Sequence, residues 1–277
     1  MIANDSLGNL GRLGNQMFQY ASLRGLAQKH GYDYCLPPEE VIGINDNKVK
    51  NSDITIFECF NIPDAPRKIT NFPKVMERVN YNLDQLLWDR CPDNVSLFGY
   101  FQTEKYFKHI EKDIRDAFTF VDEIIQPTED AFRENFDNSE VISLHIRRTD
   151  YVQLQNHHPL VSIDFYKKSL DLLPQELSVM IFSDDIDWCK NQKMFDQDRF
   201  IFVEDNNSGV DLCLQSLCTY HVIANSSFSW WGAWLSKSKK VIAPSNWVGP
   251  DSIHKNVDGL KFDNFEFLIT PNENKYD

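Results

Sequence analysis

The first clear periodicity in the chain is helical. Between about Gln16 and His30, the residues Met17, Phe18, Ala21 and Leu26 recur at spacings that share a helix face, and Gly31 stands where such a helix would end. Short β-prone runs follow at YDYCL (Tyr32 to Leu36), ITIFECF (Ile54 to Phe60) and SLFGYF (Ser96 to Phe101), separated by stretches rich in Pro, Asn and Asp. From Val141 the pattern changes. The apolar runs VISLHI, VMIF, FIFV, HVIA and KVIAP alternate with polar or helical segments, as strands buried on both faces of a parallel sheet should. The charged, proline-containing stretch QPTEDAFRENFDNSE just before them suits a connection between domains, which predicts one domain over residues 1–138 and a second over 139–277. The polar stretch after about Asn264 predicts a fraying tail, and no internal repeat argues for a solenoid.

Composition narrows the choice of partners. The acidic residues number 41 against 28 lysines and arginines, so the general field repels nucleic-acid backbones and anionic lipid surfaces. A phosphate-bearing ligand must therefore be held by a local cluster of cations and oriented amides. The start, MIANDSLGNLGRLGNQ, has neither a basic nor an apolar signal region, and no later run approaches the length of a membrane span; the expectation is a cytoplasmic protein without an integral membrane segment. Six scattered cysteines (Cys35, Cys59, Cys91, Cys189, Cys213, Cys218) form no CxxC pair and read as reduced core residues.

Four segments carry candidate chemistry. HIRRTDY, His145 to Tyr151, closes the run VISLHI, and strand alternation points His145 and Arg147 to one face, Ile146 and Arg148 to the other. Ligands of open α/β sheets bind beyond the strand carboxyl ends, which assigns Arg147 to a phosphate and Arg148, with Asp150, to a structural salt bridge. NSSFSWWGAWL, Asn225 to Leu235, offers Ser226 or Ser227 as a helix cap and that helix's first amides as an anion cradle; Trp230, Trp231 and Trp234 read as core. In FSDDIDW, Phe182 to Trp188, a strand-end carboxylate can read a guanine edge, and Asp184 with Asp185 also resembles an acidic metal pair. The metal reading is the weaker, because Asp187 is placed to cap the next helix. GRLGNQMFQYA, Gly11 to Ala21, misses the dinucleotide spacing but permits a tight turn, with Asn15 and Gln16 presenting amides at a helix start.

Together with GYFQTEKYF (Gly99 to Phe107), these segments, in this order, resemble the α-1,2-fucosyltransferases of glycosyltransferase family 11, and more distantly the α-1,6- and protein O-fucosyltransferases. The resemblance spans nearly the whole chain. It implies an α/β, GT-B fold of two Rossmann-like domains facing a cleft, an acceptor-side domain first and a GDP-sugar-binding domain second. It implies GDP-fucose as donor co-substrate, a glycan as acceptor, and no metal or other cofactor. By position, Arg147 looks like the arginine on the donor's β-phosphate and Asp184 like the guanine reader. Ser226, Ser227 and Phe228 resemble the donor-cradling helix start, with His145 beside them, and Asn15 and Gln16 look like first-motif residues near the donor. Gln102 and Tyr106 are placed on the acceptor side, although packing is the readier role for Tyr106. The transfer would invert the anomeric carbon, with Asp150 or His158 as general base.

The chain departs from the family in two places: MIANDSLGNL offers little apolar strand before the glycine turn, and His158-Pro159 stands where members carry His-Gly. Two other functions fit parts of the pattern. Another GDP-sugar or another linkage keeps the enzyme class, and a non-catalytic glycan-binding module would account for the aromatic residues but not for His145, Arg147 and Asp184.

Overall fold

The computed structural model describes residues 1–42, 53–137 and 139–269. The chain forms two compact units, one of residues 1–122 with 256–261, the other of 123–255 with 262–277, of which 270–277 lie outside the described residues. The break falls at the start of a helix rather than at the expected 138/139, and residue 138 is itself outside the described set.

The first unit opens with β1 (Ile2–Ala3), whose two residues are fully buried although the sequence there offered almost no strand signal. Helix α1 (Leu13–His30) is buried around most of its circumference and ends at Gly31, whose φ of 67° supplies the left-handed cap that glycine adopts without strain. β2 is Tyr34–Cys35. The ITIFECF run is not a strand: Thr55 and Glu58 form a reciprocal capping box and start helix α2 (Ile56–Cys59), a local hydrogen-bond gain that outweighs β-propensity. β3 (Lys74–Met76), α3 (Gln85–Arg90), β4 (Val95–Phe98) and α4 (Glu111–Ala117) follow, and the strands lie in the order β2-β1-β4-β3, all parallel. β4 stops at Phe98, short of the expected Phe101, because the chain turns at Gly99 and Phe101 takes a φ of 54°.

The second unit begins with α5 (Asp122–Phe136), where an interdomain connection was expected. Its charged composition hides an i, i+4 ladder: Ile124 and Thr128 are buried, and Phe132 and Phe136 pack on Val141, Met180, Phe182 and Leu214. There follow β5 (Val141–Ile146), α6 (Ile163–Asp171), β6 (Ser178–Ser183), α7 (Ile186–Lys190), β7 (Phe200–Phe202), α8 (Ser208–Leu217), β8 (Tyr220–Val222), α9 (Ser227–Leu235), β9 (Lys240–Pro244) and β10 (Phe265–Leu268). The last of these is a strand within the stretch expected to fray. All six strands are parallel, in the order β10-β9-β8-β5-β6-β7. Both faces are covered: Ile142, Leu144 and Ile146 pack with Phe165, Tyr166 and Leu170 of α6, while Val141, Met180 and Phe182 face α5 and α8.

Renumbered within the unit, this order is the 3-2-1-4-5-6 of doubly wound nucleotide-binding sheets, and its direction of winding reverses between β5 and β8. The six cysteines are all buried, and among the described residues no disulfide joins them. No described helix is long and apolar enough to cross a membrane.

Candidate active site

The carboxyl ends of β5 and β8 flank the reversal point, and two of the sequence motifs begin there. His145 is the penultimate residue of β5 and 6% exposed. Its Nδ1 lies 2.9 Å from Ser229 Oγ in the first turn of α9, and its ring is 5.8 Å from that of Phe228. Burial, then the neighbouring Arg147 cation, push its pKa down to about 4, against the opposing pull of Asp184, so the imidazole is neutral near pH 7. His145 thus fastens the start of α9 to the central strand.

Ser226 is the helix cap: its Oγ accepts the Phe228 amide at 3.3 Å, leaving Ser227 as the first residue of α9. A helix start leaves its first amides without intrahelical partners and carries the positive end of the dipole, so this turn attracts an anion. Trp230, Trp231 and Trp234 are buried and pack on one another, Trp231 edge-on to the other two, which makes them core.

The arginines have exchanged one expected partner. Arg147, 14% exposed, donates Nη2 to Asp150 Oδ1 at 2.5 Å and pairs through Nη1 with Asp184 Oδ2 at 2.8 Å. Arg148 is bound instead to Asp185, at 3.2 Å, and lies 3.8 Å above the Trp188 ring. The expected Arg148–Asp150 bridge is replaced because Asp150 sits in the turn after β5, on the side to which Arg147 points, whereas Arg148 reaches toward the neighbouring β6 end. Asp185, not Asp187, caps α7, accepting the Trp188 amide at 3.3 Å.

Asp184 is turned onto the same loop. Its Oδ1 accepts the Arg148 amide at 2.8 Å, and its Oδ2 takes the Thr149 amide at 3.2 Å, the Thr149 hydroxyl and Arg147 Nη1. Burial raises its pKa, but the Thr149 hydroxyl, the Arg147 cation and the Arg148 amide outweigh it and hold the carboxyl below its usual range. A carboxylate has about four acceptor positions. With these four donors Asp184 braces the loop of residues 147–149, and Oδ1, which takes only one of them, keeps a second acceptor position.

The loop beyond carries the two candidate bases. The His158 ring stacks on Tyr151 at 4.8 Å and 15°, and Tyr151 lies beneath the Arg147 guanidinium at 5.5 Å. Burial lowers the pKa of His158, opposed by the nearby charge of Asp150. Tyr151 donates its hydroxyl to Asn225 O at 3.0 Å, while Asn225 Nδ2 donates to Pro159 O and Trp247 O. Arg147, Asp150 and His158 are therefore brought together around one tyrosine, at the strand end that faces the α9 turn.

The first-unit residues divide. Asn15 is partly exposed, and its Oδ1 accepts Gln102 Nε2 at 2.6 Å. Gly11, with a φ of 86°, would place a Cβ 1.8 Å from Asn15 Nδ2, so the glycine turn is required as read. Gln16 is fully buried, and its Oε1 accepts the Ile56 amide at 3.1 Å. Tyr106 is likewise fully buried, its hydroxyl accepting the Asp84 amide at 2.9 Å and its ring edge-on to Phe101. It is a packing residue and has no access to an acceptor.

Several residues escaped the sequence reading. Thr149, Tyr151 and Ser229 lie inside motifs that were noticed, but their partners are 35, 74 and 84 residues distant. Asn225 carried a usable signal, an asparagine between a strand end and a capping serine. Gln19 had none; it stitches the glycine loop by accepting the Gly8 amide at 2.8 Å and donating to Leu10 O at 3.0 Å.

Known proteins bear on this arrangement. A model of glycosyl transferase family 11 matches residues 6–261. An α-1,2-colitosyltransferase of Escherichia coli is 34% identical, the match covering 88% of this chain and 92% of the relative. Galactoside α-(1,2)-fucosyltransferase 2 of Sus scrofa is 25% identical over 89% of this chain and 74% of its own. Among solved structures, the α-1,6-fucosyltransferase NodZ co-crystallised with GDP is similar with a TM-score of 0.56 at 13% identity, covering 88% of this chain and 95% of that one. That likeness shows the α/β, GT-B fold, and the family match spans both the glycine turn and the arginine strand: the chain belongs to glycosyl transferase family 11 and is a glycosyltransferase.

Proposed function

We propose that this glycosyltransferase moves L-fucose from GDP-β-L-fucose to a glycan hydroxyl, galactose O2 in the first instance, forming an α-1,2 linkage with inversion. The observation that carries the reading is the juxtaposition at the β5–β8 reversal point. There, Arg147 is gripped by Asp150 and Asp184, and the capped start of α9 is fastened to the same strand through His145 and Ser229. As the bond from fucose to the diphosphate breaks, negative charge grows on the leaving oxygen. A guanidinium held by two carboxylates and a row of helix-start amides are aimed before the charge appears, and so stabilise the transition state more than the ground state. In this scheme Arg147 and the amides supply the positive potential, with no metal required, and the second unit is the donor side.

Arg147 is already bonded to two carboxylates, which aim it. A guanidinium has five N–H groups, more than the bonds to Asp150 and Asp184 use, so it can also donate to phosphate oxygens. Asp150, 41% exposed and bonded to Arg147, is one candidate base for an acceptor hydroxyl, and His158 is the other. Gln102, paired with Asn15, is the first-unit group proposed for the acceptor side, and a cytoplasmic setting belongs to the same reading.

The relative at 34% identity favours a second reading, with colitose as the transferred sugar. Colitose is fucose without its 3-hydroxyl. A site built to bind that hydroxyl rejects the deoxy sugar by about 10⁴–10⁵-fold, whereas a purely apolar pocket would discriminate only about 10–200-fold. Release of GDP from a panel of GDP-sugars, with galactosides as acceptors and the product linkage read by NMR, tests both. Preferred turnover of GDP-fucose supports the proposal, preferred turnover of GDP-colitose replaces it with the second reading, and binding of glycan without GDP overturns both.

A further inference from the structure

Glu77 follows directly on β3, next to the end of β4, and its carboxylate crosses to the neighbouring loop. Oε2 accepts the Tyr100 amide at 2.9 Å and the Phe101 amide at 2.8 Å. Oε1 is shielded from solvent with no hydrogen-bond partner among the described residues. The loop it grips has little local reason to hold its shape. Phe101 sits at a φ of 54°, in the left-handed region that costs a bulky side chain strain. A Cβ at Gly99 would fall 2.5 Å from Glu77 Cβ and 2.8 Å from Oε2, so only glycine lets the carboxylate approach this closely. One residue past Phe101 stands Gln102, bonded to Asn15 at 2.6 Å.

We propose that Glu77 is a positioning residue for the acceptor side of the transfer, a proton-linked latch that holds the loop of residues 99–102 and with it the Asn15–Gln102 amide pair. The proposal rests on the transferase reading for the word acceptor, and on the geometry, with the burial of the carboxylate, for the latch.

The surroundings give the latch its proton dependence. Burial comes first, opposed by the Phe101 and Tyr100 amides and reinforced by the charge of Asp84, and the balance pushes the Glu77 carboxyl up to about 7. The ionisable neighbours are Asp84, Arg78, Tyr81, Tyr100 and Tyr106. Asp84 stays ionised because Arg78 is bonded to it, with Nε at 2.8 Å from Oδ2, so that cation is committed to Asp84 rather than to Glu77. Tyr81 and Tyr106 are pushed up by burial and stay neutral.

The sign follows from linkage. An opened loop would hydrate Glu77 and return it toward the ordinary glutamate value of 4.5, whereas the closed loop favours the protonated form. Closure is therefore strongest below pH 4.5, weakens as pH rises toward about 7, and levels off above it. Within that window, opening should rise by up to about tenfold per pH unit.

Amide hydrogen exchange of the peptide spanning residues 97–103, corrected for intrinsic rates, reads the latch directly in the wild-type protein. Protection is expected to fall between pH 5 and 7 and to level off above. Glu77→Gln, which cannot titrate, should make it flat, and Glu77→Asp should restore a slope. The KM for a galactoside acceptor should rise over the same pH range in the wild type and not in Glu77→Gln, while GDP affinity changes in neither. A wild-type protection without the slope, or a slope that survives in Glu77→Gln, overturns the latch. An acceptor KM whose pH dependence is the same in both proteins overturns its role in positioning. If GDP does not bind at all, the transferase reading fails while the exchange data still decide the latch.

Discussion

Truncating Arg147 to alanine separates chemistry from stability, because its two partners differ. Asp184 keeps the Arg148 amide, the Thr149 amide and the Thr149 hydroxyl when the arginine is gone, and Asp150, 41% exposed, can hydrate. The loss of stability should therefore be about 1–2 kcal/mol, below the ~3–5 kcal/mol for stripping a buried ion of its only partner. For domains of this size that is a fall in Tm of about 2–8 °C. The loss of activity is far larger on the proposed reading, since removing one preorganised donor to a developing oxyanion costs about 10²–10³ in kcat. GDP release at saturating donor and acceptor, with circular dichroism on the same samples, measures both. Arg147→Lys should recover only part of the rate, because an ammonium keeps the charge but cannot bond two carboxylates and a phosphate in one plane. Arg148→Ala is the control: it loses the Asp185 bond and the Trp188 contact, so stability should fall while kcat stays within about tenfold. A folded Arg147→Ala protein with half of the wild-type turnover refutes the reasoning, and so does loss of turnover in Arg148→Ala with Arg147→Ala active.

Three further outcomes follow from the packing. His145 and His221 are both buried and held neutral, each with its pKa lowered to about 4 from 6.5, so the unfolded chain takes up protons that the folded one refuses. Stability should be complete above pH 6.5 and decline as pH falls toward 4, each histidine adding about 1.4 kcal/mol per pH unit; urea midpoints at pH 5 to 7 should show a shallower slope for His145→Asn, and an unchanged slope sinks the assignment. Thr149→Val removes a hydroxyl from Asp184 and should cost about 1 kcal/mol and weaken GDP binding several-fold by calorimetry, unchanged affinity counting against Asp184 as the brace of that loop. Gly25→Ala would place a Cβ 1.9 Å from the Tyr106 carbonyl oxygen, where backbone must move, so a loss of about 1–3 kcal/mol is expected, and a Tm within 2 °C of wild type would contradict it.

What could be read from the chain itself was the part governed by local, repeated chemistry. Continuous apolar runs announced β5, β6, β8 and β9, because strands covered on both faces have no polar positions to obscure them. Alternation along β5 put His145 and Arg147 on one face, and a serine ahead of an apolar run announced the capped start of α9. The failures are equally physical. Ile54 to Phe60 has strand composition, yet one capping box makes it a helix; the charged stretch ending at Phe136 hid an i, i+4 ladder whose purpose is visible only when α8 and the sheet face it. β1 is two residues long and needs no pattern of its own, since β2 and β4 on either side complete its hydrogen bonds.

Partner choice was decided only by the tertiary structure. Sequence proximity allowed Asp150 to pair with either arginine. The adjacency of β5 and β6 delivered Asp184 and Asp185 to the same loop from 36 and 37 residues away and so left Arg147 with Asp150, and the reversal of strand order placed Ser229 against His145 across 84 residues. A residue type fixes what bonds a side chain can make. Which of them it makes depends on which strand ends become neighbours, and no pattern within a single strand records that.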